Sequence, residues 1–415
     1  MTEPTTCVVV GGGPAGMVLG LLLARAGVEV TVLEKHNDFL RDFRGDTVHP
    51  STMQLLDELG LGAKFAALPQ SKIEQIDFAF DRERQLVFAN LTLLKVAHPY
   101  VAMVPQWDLL DLLAGAAKEE LTFTLRMNTE VIGLLRESGR VAGVRYRSAG
   151  ERREDELHAD LTVACDGRWS IARRLANLKP KEYDVPFDAW WFRVPREDGD
   201  QTAITPQMRD KRFAVMLPRR GYFQIAYLAG KGTDAQLRAG GIERFREDVA
   251  DLFPWLAQRL GALDSMDDVK HLDVRLNRLH RWHTDGLLCI GDAAHAMSPI
   301  GGVGINLAVQ DAVATAHLLA GPLRSGRPTV KDLAKVRARR WLPTVLVQGI
   351  QRMLHRVLMR PVMEGRRNGP PQTMIKLLRR FPAISIVPAY LIGVGFRPEH
   401  APEFARRTTE PAPGS

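Results

Sequence analysis

Three short apolar runs along the chain are each followed at once by a glycine-containing turn. They are residues 7–10 before Gly11, residues 160–165 before Asp166-Gly167, and residues 286–290 before Gly291-Asp292. Continuous apolar runs rich in β-branched residues are typical of parallel strands that are buried on both faces. Because ligands of such sheets bind at the carboxyl ends of the strands, the pattern indicates that the three turns carry the chemistry of the protein.

The first turn has the G-x-G-x-x-G spacing, with Gly11, Gly13 and Gly16. Gly11 permits a tight turn, Gly13 lets the backbone approach a pyrophosphate, and Gly16 lets the helix pack closely on the strand. A helix is predicted over residues 15–26, opening with Pro14-Ala15, and its N-terminus would face the phosphates.

A second strand is predicted over residues 28–33 and ends at Glu34-Lys35. Glu34 lies 18 positions after Gly16, where an acidic side chain can bind the ribose hydroxyls of a dinucleotide. A carboxylate there disfavours a 2′-phosphate, so the site is predicted to hold FAD or NAD rather than NADP. The alternative is a glycine turn without a ligand, and the complete strand–turn–helix–strand–Glu pattern disfavours it.

The third turn leads into the longest glycine motif, Pro299-Ile300-Gly301-Gly302-Val303-Gly304-Ile305-Asn306, which is predicted to open a helix that continues through Asp311. The N-terminus of such a helix has free N–H groups and a partial positive charge. It would stabilise negative charge on a bound cofactor. We interpret His295, which precedes this motif, as a structural residue rather than an acid–base group.

The composition is that of an ordinary enzyme, with 45% hydrophobic and 25% charged residues in 415 positions. The three cysteines, Cys7, Cys165 and Cys289, lie at or near the ends of predicted strands, so we interpret them as small core residues and expect no metal site. The polar N-terminus leads directly into the first strand, and no apolar run reaches membrane-spanning length. We therefore expect a cytoplasmic protein.

The positive charge is concentrated near the C-terminus. Residues 321–380 hold 15 Lys/Arg against 2 Asp/Glu, whereas the whole chain has a net charge of +8. Arg352, Arg356 and Arg360 recur every four residues, and the opposing apolar face consists of Leu346, Ile350, Met353, Leu354, Val357 and Leu358. Such a helix could contact an anionic membrane, receive a lipophilic substrate, or pack on the protein as an ordinary surface helix. No pattern typical of nucleic-acid binding is present.

Together the three motifs resemble those of the FAD-dependent aromatic hydroxylases, the class A flavoprotein monooxygenases typified by para-hydroxybenzoate hydroxylase. The resemblance covers roughly the first 320 residues. It implies that Asp166-Gly167 lies near the FAD pyrophosphate and the nicotinamide cofactor, and that Asp292 binds the ribityl chain. Ser170 and Arg173 also match the family pattern.

Two further cofactor contacts follow from the same resemblance. Gln106, before a long predicted helix, matches a residue that contacts FAD. Arg44 matches an arginine that touches the cofactor, and Arg41 is the competing candidate for that role. The helix after Arg44 is predicted to have a capping box, Ser51 with Gln54, and to end at Gly60.

The predicted fold class is α/β: a Rossmann-like FAD-binding domain interleaved with an antiparallel substrate domain, followed by a helical C-terminal segment. Alternating residues predict a hairpin within residues 71–96 and strands over 189–194, 213–217 and 222–229. The resemblance implies that these stretches form one substrate domain beside the flavin. The assigned ranges are 1–70, 97–180 and 271–320 for the FAD-binding domain, 71–96 and 181–270 for the substrate domain, and 321–415 for the basic helical segment with a disordered tail.

Aromatic residues on the predicted strands are the candidates for the substrate pocket. Because alternate residues of a strand face the same side, either Trp190 with Phe192 or Trp191 with Arg193 faces the flavin. The same ambiguity holds for Phe213 with Val215 and for Tyr222 with Gln224. We take Trp190, Phe192, Phe213, Tyr222 and Gln224 as the candidates, and the apolar, aromatic composition predicts a bulky hydrophobic substrate.

The resemblance implies a flavin-mediated reaction without a catalytic side chain, with Pro299, Gly301 and Gly302 near the flavin ring. NADPH or NADH would bind transiently and reduce FAD, and a C4a-hydroperoxide formed with O2 would hydroxylate the substrate. Three other interpretations stay open: a flavin-dependent reductase of an isoprenoid-like lipid, a non-catalytic FAD or ligand-binding module, and a halogenase, whose W-x-W-x-I-P motif is matched only in part by residues 190–195.

Overall fold

The computed structural model describes residues 5–40, 47–81, 84–151, 153–200, 204–367 and 371–408. Its strands are β1 Thr5–Val10, β2 Val30–Leu33, β3 Thr47–Val48, β4 Ser71–Ile73, β5 Gln75–Asp81, β6 Arg84–Asn90, β7 Val101–Met103, β8 Phe123–Arg126, β9 Thr129–Glu137, β10 Arg140–Ser148, β11 Asp155–Ala164, β12 Pro180–Tyr183, β13 Phe187–Pro195, β14 Thr205–Arg209, β15 Arg212–Pro218, β16 Tyr222–Gly230, β17 Lys270–Leu272, β18 Leu276–Leu279, β19 His283–Thr284 and β20 Leu287–Cys289. Its α-helices are α1 Pro14–Arg25, α2 Pro50–Glu58, α3 Gly62–Ala66, α4 Gln106–Lys118, α5 Ile171–Leu175, α6 Asp234–Ala239, α7 Gly241–Leu252, α8 Gly304–Ser325, α9 Val330–Leu354, α10 Arg360–Met363, α11 Gln372–Arg380 and α12 Ile386–Gly393, with a π turn, His355–Met359, after α9.

The central sheet has the strand order β19-β20-β11-β1-β2-β8, in which all strands except β19 are parallel. β9 and β10 extend it as an antiparallel pair beside β11. In β1, Cys7 and Val9 pack in the cluster that contains α1, whereas Val8 and Val10 pack with residues of β9 and β10. Both faces of β1 are therefore buried, which explains its continuous apolar run. The predicted α/β fold class with a parallel sheet is confirmed.

The helices beside this sheet begin and end close to the predicted signals. α1 begins at Pro14, and Gly27 with φ +76° follows its C-cap. The capping box predicted for α2 is wrong, because the helix begins at Pro50 after His49 and no side chain caps it. The Ser51 hydroxyl donates instead to Asn306 Oδ1 of α8 at 2.9 Å.

Four antiparallel sheets lie outside the central sheet in the described residues, and two of them are the pair β12 with β18 and the three strands β3-β7-β4. β5 and β6 form the predicted hairpin, and a five-stranded sheet has the order β14-β15-β16-β13-β17. A parallel bridge, Ile76 with Ile204, connects the hairpin to the segment that leads into β14. Two strands of the five-stranded sheet were not predicted: β14 contains Pro206, and β17 has only three residues. One face of the five-stranded sheet is covered by α7, where Trp190, Phe192 and Phe245 pack together.

The C-terminal segment is helical, as predicted, and its first helix is tied to α8 through a buried arginine. Arg340 is 0% exposed, and its Nε lies 3.0 Å from Asp311 Oδ1. Its Nη1 lies 3.3 Å from Glu399 Oε1. His295 Nε2 lies 2.5 Å from the other oxygen of Asp311, so His295 belongs to this buried charged cluster. In the described part of the chain, no helix is both long and apolar enough to cross a membrane.

Candidate functional site

A cavity of about 1170 Å³ lies between the central sheet, the five-stranded sheet and the C-terminal helices. Its lining includes residues of all three glycine motifs, of β13, β15, β16 and β17, and of α9, α11 and α12. Pockets for a single drug-sized ligand span roughly 300–1,000 Å³. The cavity therefore has room for a cofactor and a second molecule.

At one end of the cavity the first motif presents backbone rather than side chains. Gly11 has φ +101°, and an added Cβ would lie 2.7 Å from the carbonyl oxygen of Cys165. An added Cβ at Gly16 would lie 2.0 Å from the carbonyl oxygen of Gly11, so helix and turn are in direct contact. None of the described atoms lies within 4 Å of an added Cβ at Gly13. No side chain caps the N-terminus of α1, which leaves it suited to a phosphate.

Glu34 is held at the end of β2 by two backbone donors. The Gly12 N–H donates to Glu34 Oε2 at 2.9 Å, and the His36 N–H donates to Oε1 at 3.1 Å. Glu34 is buried, and it lines the cavity together with Lys35. The two bonds fix the carboxylate next to the glycine turn, where the sequence predicted a contact with ribose.

Hydrogen bonds and buried side chains connect the second motif to the third. Asp166 lines the cavity, and its Oδ2 accepts from the N–H groups of Ile171 and Ala172 at the start of α5. Burial raises the pKa of Asp166. The buried Arg173 donates to the carbonyl oxygens of Ala293 and Arg168, at 3.0 and 2.7 Å.

Asp292 also lines the cavity, in the turn that follows β20. Arg168 Nη2 lies 3.7 Å from Asp292 Oδ2. The acidic side chains of the second and third motifs thus lie in one cavity with Glu34 of the first motif, in agreement with the expectation that the three turns form a single site.

We call residues 298–304 the glycine loop. They line the cavity and lead into α8, whose N-terminus at Gly304-Ile305 has no side-chain cap. On one side the loop is held by two residues before α2: Thr47 Oγ1 and His49 Nε2 each donate to the carbonyl oxygen of Gly302, at 3.0 Å. The loop is therefore positioned by contacts that its own sequence does not show.

On the other side the glycine loop is held by α9. Gln351 Nε2 donates to the carbonyl oxygens of Ser298 and Ile300, at 2.9 and 3.0 Å, and Gln351 Oε1 accepts from the Ser298 N–H at 3.2 Å. His355 Nε2 lies 3.0 Å from Ser298 Oγ. The sequence interpretation missed Thr47, His49, Gln351 and His355. No local motif marks them, because their partners are more than 50 positions away.

Three predicted cofactor contacts, Gln106, Asn306 and Arg44, have different outcomes in the structure. Gln106, the first residue of α4, lines the cavity as expected. Asn306 does not, because its Oδ1 is engaged by the Ser51 and Thr52 hydroxyls of α2, at 2.9 and 2.7 Å. The side chain of Asn306 therefore joins two helices rather than facing the cavity. Arg44 and its competitor Arg41 lie outside the described residues.

Strand β13 turns a different face to the cavity from the one we chose, whereas Phe213 of β15 and Gln224 of β16 line it as predicted. Trp191, Phe213 and Gln224 line the cavity, whereas Trp190 and Phe192 do not. Trp190 donates to Asp234 Oδ1 at 2.8 Å, and the Phe192 ring lies 5.1 Å from that of Phe245. Because α7 covers this face, Trp190 and Phe192 belong to the core and are not pocket residues.

Tyr222 is also not a lining residue, although it shares strand parity with Gln224. It lies at the first position of β16, where the guanidinium of Arg193 lies 5.0 Å from the centre of its ring. Arg219, just before this strand, is buried and lines the cavity, and its Nε and Nη2 donate to Gln224 Oε1 at 3.0 and 2.8 Å.

The walls at this end of the cavity are mostly apolar. Residues from the sheets and from the C-terminal helices share this character: Ile73, Phe88, Met103, Trp191, Phe213, Val215, Leu217, Leu228, Ile350, Leu354, Val357, Leu358, Met374, Leu391, Ile392 and Phe396. Ile350, Leu354, Val357 and Leu358 come from the apolar face predicted for the basic helix. Leu346, Met353 and Val357 of the same face are exposed, so the face is shared between the cavity and the surface. The membrane contact considered for it is not supported.

Comparison with known proteins agrees with this geometry. Residues 4–345 match the family described as FAD binding domain. The chain is 33% identical over 369 residues to a 6-methylpretetramide 4-monooxygenase of Streptomyces rimosus, covering 86% of this chain and 84% of the relative. The chain belongs to the class A, FAD-binding flavin monooxygenase family. The resemblance drawn from the three motifs is thereby confirmed.

Solved structures of flavin monooxygenases share the architecture. The anhydrotetracycline hydroxylase OxyS of Streptomyces rimosus superposes with a TM-score of 0.73 at 25% identity, over 94% of this chain and 76% of its own. The p-nitrophenol 4-monooxygenase PnpA of Pseudomonas putida superposes with a TM-score of 0.75 at 20% identity, over 96% and 100%, which shows the fold alone. The chain is an FAD-dependent monooxygenase. The interpretations as a lipid reductase and as a non-catalytic binding module are therefore set aside.

Proposed function

We propose that this monooxygenase hydroxylates a bulky, hydrophobic, aromatic or polyketide-like substrate, with electrons from NADPH or NADH and one oxygen atom from O2. The observation that carries the proposal is that one cavity joins the three cofactor motifs to a large apolar chamber. The relatives compared above are named for 6-methylpretetramide and anhydrotetracycline, which supports a polyketide-like substrate.

The cofactor end of the cavity fits FAD. We infer that the pyrophosphate lies against Gly13 and the N-terminus of α1, and that Glu34 binds the ribose. Asp292 would bind the ribityl chain, and the glycine loop would lie beside the flavin ring. When bound, FAD supplies the acceptor for hydride and the site of oxygen activation. We infer that the chain's own residues bind, orient and shield it.

Several features of the cavity would act on the reduced flavin ring or on the substrate beside it. The uncapped N-terminus of α8 places free N–H groups and a partial positive charge at the glycine loop. The apolar walls around Trp191 and Phe213 would exclude water and keep the substrate close to the ring. Gln224 and Arg219 are polar groups in this chamber that can orient a substrate oxygen.

The proposal is tested by the size dependence of coupling. The FAD-loaded protein is mixed with NADPH and either a fused-ring phenol or a single-ring benzoate, and NADPH oxidation and hydroxylated product are both measured. We expect the fused-ring compound to stimulate NADPH oxidation and to yield product. Efficient hydroxylation of small benzoates with no turnover of larger rings would contradict the proposed substrate class.

A further inference from the structure

A second cavity, of about 400 Å³, lies between the turn after β12 and the C-terminal end of α9. We call it the basic cavity, and its lining consists of Tyr183, Asp184, Pro186, Arg352, His355, Arg356 and Arg360. These residues do not line the larger cavity. The basic cavity is therefore separate from the space assigned to FAD and substrate.

The basic cavity has an excess of positive charge. Arg352, Arg356 and Arg360 follow one another at four-residue spacing and line the same cavity, but the cavity has one carboxylate, Asp184, which pairs with Arg360. The guanidinium of Arg352 lies 4.5 Å from the centre of the Tyr183 ring. Within the described ranges, neither Arg352 nor Arg356 has a carboxylate within ion-pair distance.

A neighbouring arginine, Arg278, is also close to other positive charges. Arg278 donates to the Tyr183 hydroxyl at 2.7 Å. Burial lowers the pKa of Arg278, and repulsion from Arg352 and Arg337 lowers it further. The cavity wall is thus a region of incompletely compensated positive charge, which favours an anionic ligand.

A buried histidine provides an independent sign of a ligand. His355 is 3% exposed, and its Nδ1 has no hydrogen-bond partner among the described residues. Burial lowers the pKa of His355 to about 4, so the ring is neutral at pH 7. If Nε2 accepts from the Ser298 hydroxyl, the ring proton is on Nδ1, and a donor is left available on the side of His355 that Ser298 does not use.

We propose that the basic cavity binds the phosphate groups of a nucleotide. The planar guanidinium groups of Arg352 and Arg356 match phosphate oxygens in charge and geometry. A volume of about 400 Å³ exceeds what a single phosphate needs and lies in the range of small-ligand pockets. The electron donor NADPH and a separate regulatory nucleotide share this chemistry.

Occupancy of the basic cavity would reach the glycine loop through one residue. A phosphate that accepts from Nδ1–H fixes the tautomer of His355 in which Nε2 accepts from Ser298 Oγ. Ser298 directly precedes Pro299 of the glycine loop, so the ligand would stabilise one arrangement of that loop. If the donor is NADPH, this link rests on the proposed function, whereas phosphate binding itself does not.

The test uses the FAD-saturated protein and isothermal titration calorimetry with pyrophosphate and with NADP⁺. The double variant Arg352→Gln/Arg356→Gln removes both guanidinium groups from the cavity. The control is Arg367→Gln, which changes an exposed arginine outside the cavity. We expect the wild type and the control to bind pyrophosphate with equal affinity. Loss of the charge-assisted bonds should weaken binding at least about tenfold in the double variant.

The outcomes separate the two nucleotide sources. A rise in the KM for NADPH that parallels the loss of pyrophosphate affinity identifies the electron donor. An unchanged KM with weakened pyrophosphate binding identifies a separate nucleotide. Equal pyrophosphate affinity in the wild type and in a folded double variant, or no binding to either, would overturn the proposal, and thermal unfolding of each variant verifies that it is folded.

Discussion

The two ends of the large cavity are built from different materials. At the cofactor end the walls are mainly backbone: Gly11 and Gly16 lie against other main-chain atoms, and α1 and α8 present uncapped N-termini. At the substrate end the walls are side chains from the five-stranded sheet and the C-terminal helices. Where main-chain atoms line the cavity, a side-chain substitution hardly changes its shape unless it forces the backbone to move. Where side chains line the cavity, one substitution changes the volume available to the substrate. We therefore expect the two ends to respond differently to mutation.

The largest effect is expected at the contact between helix and turn. In Gly16→Ala the new Cβ would lie 2.0 Å from the carbonyl oxygen of Gly11, so the backbone must move. We expect a loss of more than about 4 kcal/mol in the free energy of unfolding, and a protein purified without FAD. The matched control is Gly13→Ala, where the added Cβ meets open space, and we expect weaker FAD binding with a loss of stability within about 1 kcal/mol. Equal stability of the two variants in chemical unfolding would contradict the argument.

The two adjacent tryptophans of β13 test the substrate end. Trp190→Ala removes a fully buried ring from the cluster with α7, so we expect a loss of about 3–5 kcal/mol in stability with little change in substrate preference. Trp191→Ala enlarges the cavity instead, and we expect a smaller loss of stability and a shift toward larger substrates. Unfolding curves and product yields for a size series of phenols measure both. The reverse pattern would show that the faces are assigned wrongly.

Asp292 tests a polar contact at the cofactor end. A charge-assisted hydrogen bond contributes roughly 1.5–3 kcal/mol, so Asp292→Ala should weaken FAD binding about tenfold to a hundredfold. The measurement is a fluorescence titration of the apoprotein with FAD. Asp292→Asn, which keeps the shape, should retain part of the affinity. A variant that purifies with full flavin content would refute the assignment of Asp292.

Gln351 connects the two ends, because it holds the glycine loop from the C-terminal helices. Gln351→Leu would leave one N–H and two carbonyl groups of the loop without this partner, at a loss of roughly 1–3 kcal/mol. We expect normal FAD content but a several-fold lower ratio of product to NADPH oxidised. Met353→Leu, an exposed neighbour on α9, is the control. An unchanged ratio in Gln351→Leu would show that the loop keeps its position without this contact.

The smallest effect is a pH dependence of stability. Burial lowers the pKa of His355 to about 4, whereas an unfolded histidine has a pKa of about 6.5. Below about pH 6.5 the unfolded chain therefore binds a proton that the folded protein does not, and stability present above this pH is lost as the pH falls toward 4. Relative to His355→Asn, the wild type should lose roughly 2 kcal/mol by about pH 5. Parallel stability–pH profiles of the two proteins would contradict this account.

The cofactor end could be predicted because its signals are local. At Gly11 a strand, a glycine turn and a helix start lie within ten residues of each other, and each depends on backbone chemistry that the sequence shows directly. The parallel sheet follows from the same runs, since β1 is buried on both faces. The distant partners were missing, and Ser51 and Thr52 among them hold Asn306 away from the cavity, against the prediction.

The substrate end could not be predicted in the same way. Strand alternation places Trp190 and Trp191 on opposite faces, but α7, some 50 positions later, determines which face is the core.

Contacts between residues far apart in the sequence could not be predicted either. The contacts of His49 with Gly302 and of Ser51 with Asn306 span 253 and 255 positions. Ser51 looked like half of a capping box, because its local pattern carries no sign of a hydrogen bond to α8.

The most direct test of the central claim is the origin of the oxygen atom in the product. The FAD-loaded protein is incubated with NADPH, isotopically labelled O2 and a panel of fused-ring aromatic compounds. The masses of the products are then measured by mass spectrometry. We predict a product that gains one labelled oxygen atom, at the expense of one NADPH. Oxidation of NADPH with only hydrogen peroxide formed across the panel, or a product that gains two hydrogen atoms instead of oxygen, would contradict the account.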